Sequence, residues 1–420
     1  MTGTRLEEIP EHWETKRLKF LSLIEMGQSP PSEDYNQEGI GQPFLQGNAE
    51  FDTVHPKPRL WCDSANKFAK PQDILLSVRA PVGELNISDR TYGIGRGLCA
   101  ITPSHSLTQK YLWHVLHFFR KGFDFVCSGS TYDAIKVDDV RNLPILQPPL
   151  CEQHIIANFL DHQTAIINDL IQKKEKLIQL LEEKRTALIN RAVTKGLNSN
   201  VPMKDSGVEW LGKIPRHWDL LQLCRVVKKF VDYRGATPRK ALGGIPLITA
   251  KNIRNNEINF EISQEFIADE DYDDWMVRGL PEIGDVLVTT EAPLGETAQI
   301  LDTRVALAQR IVLLKADKDK MENDYLKYYL SSCSGRGELW SRATGSTALG
   351  IRAWKLKEIL VIIPPKREQK SIIGYINCEK EKIESLITKI SHVMEKLREY
   401  RSALITAAVT GKIDVRGDAS

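Results

Sequence analysis

A chain of 420 residues with 42% hydrophobic and 27% charged residues has globular composition and the length for two domains plus connecting structure, which excludes a disordered chain and a single small core. The formal net charge is only +2, so bulk charge neither demands nor excludes a nucleic-acid partner. No apolar run approaches the roughly 18 residues that span a bilayer, MTGTRLEEIPEHW lacks a basic-then-apolar leader pattern, and seven scattered cysteines without a CxxC pair point to a reduced, cytoplasmic protein with no membrane segment and no structural zinc.

In chain order, residues 1–148 open with IPEHW (9–13) and mix short β-rich runs such as DILLSV and AITP with Gly, Pro and Asn turns. A short helical stretch follows at YLWHVLHFF (111–119). Pro148 and Pro149 stop the preceding strand, and the pattern predicts a long helix over about 152–194, ended by Gly196, within a segment 149–196. A linker, 197–213, leads to IPRHW (214–218). Residues 214–363 repeat the first pattern, with VLVTT, RIVLL and the helical YLKYYLSSC (325–333). Pro364 and Pro365 precede a second long helix over about 368–410, ended by Gly411, within the C-terminal segment 364–420.

The two halves are copies. DILLSVRAPVGE (73–84) returns as DVLVTTEAPLGE (285–296), and Gly-Ser-Thr recurs at 129–131 and 345–347. Pro149, Glu152, Gln153, Ile156, Ile167, Leu170, Ile171, Leu181, Glu183, Arg185, Ala187, Leu188, Ile189, Ala192, Val193 and Thr194 each meet the same residue type 216 positions later. Blocks recurring in the same order are an internal repeat, not chance similarity.

Both long helices carry heptads. One seam position of the first holds Leu160, Ile167, Lys174, Leu181 and Leu188, and the other is assigned to Ile156, Gln163, Leu170, Leu177 and Lys184. The second helix gives Ile376, Ile383, Ile390, Leu397 and Leu404, with Ile372, Glu379, Leu386, Val393 and Tyr400. Stripes sustained over five heptads predict a coiled coil; the alternative is that each helix packs on its own globular domain. The expected fold class is α+β: two mixed α/β domains joined by two long antiparallel coiled-coil helices, with an internal pseudo-twofold repeat. Such a dumbbell would hold two readers at a fixed separation, which suits a target with two separated half-sites.

Catalytic signatures are missing from the sequence. GKI at 212–214 and 411–413 lacks a phosphate-loop lead-in, and the glycines of YGIGRGL miss the dinucleotide-binding spacing. His114 and His117 have no clustered partners to complete a metal set, and Glu182 with Lys184 has nuclease-like spacing but sits on the predicted coiled coil. QPPL and IPPK resemble a methyltransferase Asn-Pro-Pro-aromatic motif only in their prolines. No catalytic, cofactor or metal site is read in this chain.

What remains is polar loop chemistry suited to DNA, in which Gln and Asn pair with adenine edges and Arg with guanine. The first copy offers Gln46 and Asn48 in FLQGNAEF, Arg79 in SVRAP and Arg96 in GIGRG. The second offers Lys251, Asn252 and Arg254 in ITAKNIRNN, and Gln309 and Arg310 in ALAQRIV. Each Gly-Ser-Thr turn is followed by a basic residue, giving Ser130, Thr131 and Lys136, then Ser346, Thr347 and Arg352, a pattern that suits phosphate contacts. Arg225, Lys228, Lys229, Arg234, Arg239 and Lys240 crowd one stretch against the single acid Asp232, while 255–277 holds eight acids and no Lys or Arg, so a basic side could face a phosphate backbone. The loops differ between copies where the helices agree, so unlike half-sites are expected.

MKDSGVEWLGKIPRHW (203–218), EQHIIANFLDHQTAIINDLI, RTALINRAVTKG and RSALITAAVTGKIDVRG together resemble the specificity subunits of type I restriction-modification systems over essentially the whole chain; the first IPEHW lacks the DSG leader. The resemblance implies two target-recognition domains, double-stranded DNA as ligand, two modification subunits that bind S-adenosylmethionine and methylate adenine, and two motor-nuclease subunits that use ATP and Mg. It leaves this chain non-catalytic. Two other readings make different predictions. A scaffold without sequence reading would bind DNA with salt dependence and no preferred sequence. An enzyme in its own right, such as an unusual nuclease, would cut or modify DNA as the pure chain.

Overall fold

The computed structural model describes residues 9–127, 134–345 and 349–418, with 121–127 and 418 described by backbone alone. The chain divides into two compact units, one of residues up to Glu175 with Ser391 onward, the other Lys176–Ile390. Boundaries at 148/149 and 363/364 therefore do not separate independent bodies. Each unit takes the start of one long helix and the end of the other.

In the first unit an antiparallel four-stranded sheet runs in the order Ser22–Met26, Leu98–Pro103, Ile74–Ser77, Leu85–Ile87. Ile74, Leu75, Leu76 and Ser77 are all buried, because both faces of this interior strand are covered, and a continuous apolar run is what such a strand needs. A second sheet pairs Gln42–Leu45 in parallel with Tyr92–Ile94. Glu14–Arg17 pairs with Pro144–Gln147, so the first and last strands close the domain on itself. The helix Gln109–Cys127 packs beside them through Tyr111, Leu112 and Leu116. Ile156, Ala157 and Leu160 of the helix Leu150–Lys195 complete this core, with Ile405, Ala408 and Val409 of the helix Lys366–Val409.

The second unit repeats this plan. Its four-stranded sheet has the order Val227–Asp232, Ile311–Ala316, Val286–Thr289, Thr297–Gln299. Ile245–Ile248 runs parallel to Ala306–Leu307, and Asp219–Gln222 closes against Leu360–Ile363. The helical stretch at 325–333 is two helices, Asn323–Ser331 and Cys333–Ser341, because Ser332 caps the second through a bond from the Gly335 N–H. Ile189, Ala192 and Val193 from one long helix and Ile372 and Ile376 from the other join this core. The predicted linker is partly ordered, with Met203–Asp205 paired to Lys213–Pro215.

The IPxHW motif has a mechanical role in each unit. His12 Nε2 and Trp13 Nε1 hold Glu152 at 2.8 and 2.9 Å, and His217 and Trp218 hold Glu368 at 2.7 and 2.9 Å. The next residue is used identically: Gln153 donates to the Ser106 and Pro148 carbonyls, Gln369 to those of Lys320 and Pro364. Each long helix thus starts at a fixed point of its own domain. Gly196 and Gly411, both left-handed at φ +77 and +74, end the helices against Trp218 and against Pro10 and Trp13.

Within the first unit the helices run antiparallel, since Arg401 bonds Asn168 and Arg398 meets Glu175 at 3.1 Å. The heptad assignment needs one correction. Leu160 and Ile167 are buried as expected, but the second inward position is Ile171, 8% exposed, rather than Leu170, 40% exposed. Leu177, Leu386, Val393 and Tyr400 are likewise exposed, and Met394 is buried. Adjacent Leu-Ile pairs at 170–171 and 177–178 satisfy either heptad phase; the earlier phase is inward at Ile156, and the later one at Ala157 and Ile171. Ile171→Ala should cost about 2 kcal/mol in urea unfolding of the isolated chain and Leu170→Ala less than about 0.5 kcal/mol. The reverse order would restore the original phase. Among the described residues no helix is long and apolar enough to cross a membrane.

Candidate nucleic-acid interface

Three loops meet at equivalent places in each unit because the sheet ladder holds them there. In the first, Gly95 N–H donates to Leu45 O, Val78 N–H to Gly97 O, and Ile135 N–H to Val78 O. This ties together the turns after Leu45, after Ser77 and after Ile94, and the segment around Ile135 that follows the Gly-Ser-Thr sequence. In the second, Ala308 N–H donates to Ile248 O, Thr290 N–H to Arg310 O, and Ile351 N–H to Thr290 O. One scaffold therefore presents the same junction twice.

Most of the candidate residues gather at these junctions. Gln46 and Asn48 lie on the first loop, Arg79 on the second, and Arg96 on the third, where its N–H is held by Ser29 Oγ at 3.1 Å. Gln46, Arg79 and Arg96 are exposed, and Asn48 is half-buried. Among the described residues no hydrogen bond or ion pair engages the guanidinium of Arg79 or Arg96. Tyr35 belongs to this cluster and was not anticipated: its hydroxyl donates to the Pro30 carbonyl at 3.0 Å, burial pushes its phenol above the ordinary value, and the nearby Arg96 charge pulls the other way. Lys136 is exposed at the start of the short helix Val137–Arg141.

In the second unit Lys251 and Arg310 are exposed and Gln309 half-buried at the matching loops, and Arg352 is exposed at the start of the helix Ala353–Lys357. Three expectations are corrected. Asn252 is fully buried; its amide donates to the Asn259 and Ser263 carbonyls and accepts from Thr249, so it shapes the loop and has no edge left for a base. Arg254 bends back onto the Ala250 and Ile253 carbonyls. Arg234 is held by Asp232 at 2.7 Å and by Ile351 O at 2.6 Å, so it ties the domain together rather than projecting. Half of the basic stretch is paired in this way, with Lys228 on Asp317 and Lys240 on Glu265 beside Arg234 on Asp232. Ser130, Thr131, Ser346 and Thr347 lie outside the described residues. His114 and His117 serve packing, the first against Asp161 at 2.9 Å and the second on the Trp113 carbonyl at 3.1 Å.

Arg96 and Arg310 do not correspond. Leu98 N–H bonds Gly95 O as Ile311 N–H bonds Ala308 O, which aligns Arg96 with Gln309 and Gly97 with Arg310. A side chain at Gly97 would meet Gln46 O at 2.7 Å, so only the second unit can project one there. Glu291, the counterpart of Arg79, stands beside Arg310 with Oε2 3.2 Å from Nε. The difference was visible in the repeat itself, as SVRAP against TTEAP.

The chain is thus an α+β scaffold built twice, with unlike polar loops at matching junctions. The family model for the type I restriction modification DNA specificity domain matches residues 10–180 and again 219–387. The chain belongs to that family. It is 23% identical over 422 residues to the MjaVIII specificity subunit of Methanocaldococcus jannaschii, covering 97% of this chain and 94% of that one, and 21% identical over 394 residues to the EcoKI specificity subunit of Escherichia coli, covering 87% and 80%. A putative MjaX specificity subunit from the same archaeon is 38% identical over 195 residues, 46% of this chain and 45% of that one. Among solved structures, a chain from a study of complex assembly and conformational transition of the type I R-M system matches with TM-score 0.73 and 16% identity over 97% of this chain and all of that one. The HsdS subunit from Thermoanaerobacter tengcongensis matches with TM-score 0.52 and 17% identity, covering 97% of this chain and 98% of that one.

Proposed function

We propose that this chain reads a bipartite, asymmetric site on double-stranded DNA and directs partner subunits to methylate adenine and cleave DNA there. The observation that carries the reading is the one loop junction built twice with unlike residues. Two identical junctions related by a twofold would read a palindrome, whereas Gln46, Arg79 and Arg96 against Lys251, Gln309 and Arg310 offer different donor and acceptor patterns. Phosphate contacts from Lys136 and Arg352 would set register without carrying sequence. The chemistry would belong to two modification subunits using S-adenosylmethionine and two motor-nuclease subunits using ATP and Mg.

Methylation sequencing of a host carrying this chain with its modification partners tests the proposal. The expected result is methyladenine in a motif of two unlike halves separated by a spacer of constant length. A palindrome, an uninterrupted motif, or no motif at all would overturn it.

A further inference from the structure

Glu291 and Arg310 form an exposed ion pair whose surroundings fix it more firmly than a surface pair requires. Thr290 holds the Arg310 carbonyl with both its N–H, at 3.0 Å, and its hydroxyl, at 3.3 Å. Ile351 N–H anchors Thr290 O at 2.9 Å. The stem of Glu291 lies against Gly350, where an added Cβ would come within 3.0 Å of Glu291 Cγ. Three chain segments thus fix the backbone that carries two charges, which stay 56% and 43% exposed for the Arg310 and Glu291 side chains. An exposed pair of this kind contributes little to stability, so stability does not explain the construction.

Glu291 meets Arg310 through Nε, and among the described residues no hydrogen bond engages either terminal nitrogen. Those nitrogens match the O6 and N7 acceptors of guanine. The Glu291 carboxylate is an acceptor only, and the exocyclic amine of cytosine is the major-groove donor it fits. The first unit has no equivalent, since Arg79 and Gly97 occupy the two positions and Gly97 leaves no room for a side chain.

We infer that Glu291 and Arg310 read DNA as one acceptor–donor pair, Arg310 donating to a guanine and Glu291 both orienting Arg310 and accepting from an adjacent cytosine amine. The inference rests on the proposed DNA-reading function and assigns a guanine and a cytosine to the second half-site.

The test uses the chain assembled with its modification subunits. Methylation sequencing first gives the wild-type motif, and competition binding against duplexes altered one base at a time then reads each variant without requiring turnover. Arg310→Ala and Arg310→Lys should each lose about tenfold or more discrimination at one guanine of one half-site, because lysine cannot present two fixed N–H groups. Glu291→Ala should abolish the neighbouring cytosine preference and weaken the guanine preference, while Glu291→Gln, which adds an amide donor, should relax the cytosine preference towards adenine and weaken the guanine preference. Thermal midpoints should match wild type, and the other half-site should be read unchanged. A wild type without a motif sinks the DNA-reading function itself. A wild-type motif that all four variants discriminate equally well, or a change in the other half-site, overturns the pair and leaves that function standing.

Discussion

Trp218→Ala should destabilise the second unit by about 3–5 kcal/mol, the usual loss for truncating a buried aromatic side chain. Trp218 is fully buried, packs in the larger core with Ile214, Leu223 and Val226, and backs onto Gly196 at the end of a long helix. Its bond to Glu368 is the smaller part. The Glu368 side chain is 42% exposed, so water can replace the indole, and Glu368→Ala should cost about 1 kcal/mol or less. Packing therefore wins over the hydrogen bond. Against a typical domain stability of about 5–15 kcal/mol, the tryptophan loss brings this unit near unfolding. Trp13 makes the same bond to Glu152 but is only half-buried, so Trp13→Ala should cost roughly half as much in the first unit. Urea unfolding of the full chain reads all three variants. A Trp218→Ala loss under 1 kcal/mol would show that the motif does not anchor the helix.

The tryptophans also show how far the sequence could be read. IPEHW and IPRHW stood out as repeats, and Glu152 and Gln153 recurred 216 positions later, yet nothing in linear spacing joined Trp13 to Glu152. That contact spans 139 residues and exists only after the first and last strands of the domain pair. The long helices were legible to within a few residues, because prolines before them and glycines after them mark ends physically. Their inward face was half legible. Heptad periodicity identified Leu160 and Ile167, but consecutive Leu and Ile at 170–171 left the second position open. The loops were the least legible. Asn252 and Arg310 are both polar residues in turns; one folds inward to satisfy loop carbonyls and the other projects, and composition does not distinguish them. Comparing the copies position by position would have separated Arg310 from Arg96, since Gly97 rather than Arg96 occupies its place.

Exchanging the first recognition domain for that of another family member should replace one half of the recognised motif and leave the other half intact. The structure sets the junctions. Cutting at 20 and 147 would pair a foreign strand with the resident one, because Glu14 faces Gln147 and Arg17 faces Pro144. Moving Glu14–Gln147 as a block keeps that ladder native to its donor. The block leaves His12, Trp13 and Glu152 in place, so the helix start stays clamped. It carries all three converging loops, with Gln46, Arg79 and Arg96, and none of Lys251, Gln309 or Arg310. The donor must supply a tyrosine equivalent to Tyr111, whose hydroxyl bonds the Leu146 carbonyl and reaches Val409 O at 3.4 Å. Sequence discrimination of roughly a thousandfold or more over unspecific DNA should persist in the untouched half, since each mismatch there still costs about 1–3 kcal/mol. Methylation sequencing with the resident modification subunits reads the outcome. If both halves changed together, the two junctions would not act independently, and the repeat would be a device for assembly rather than for reading two sequences.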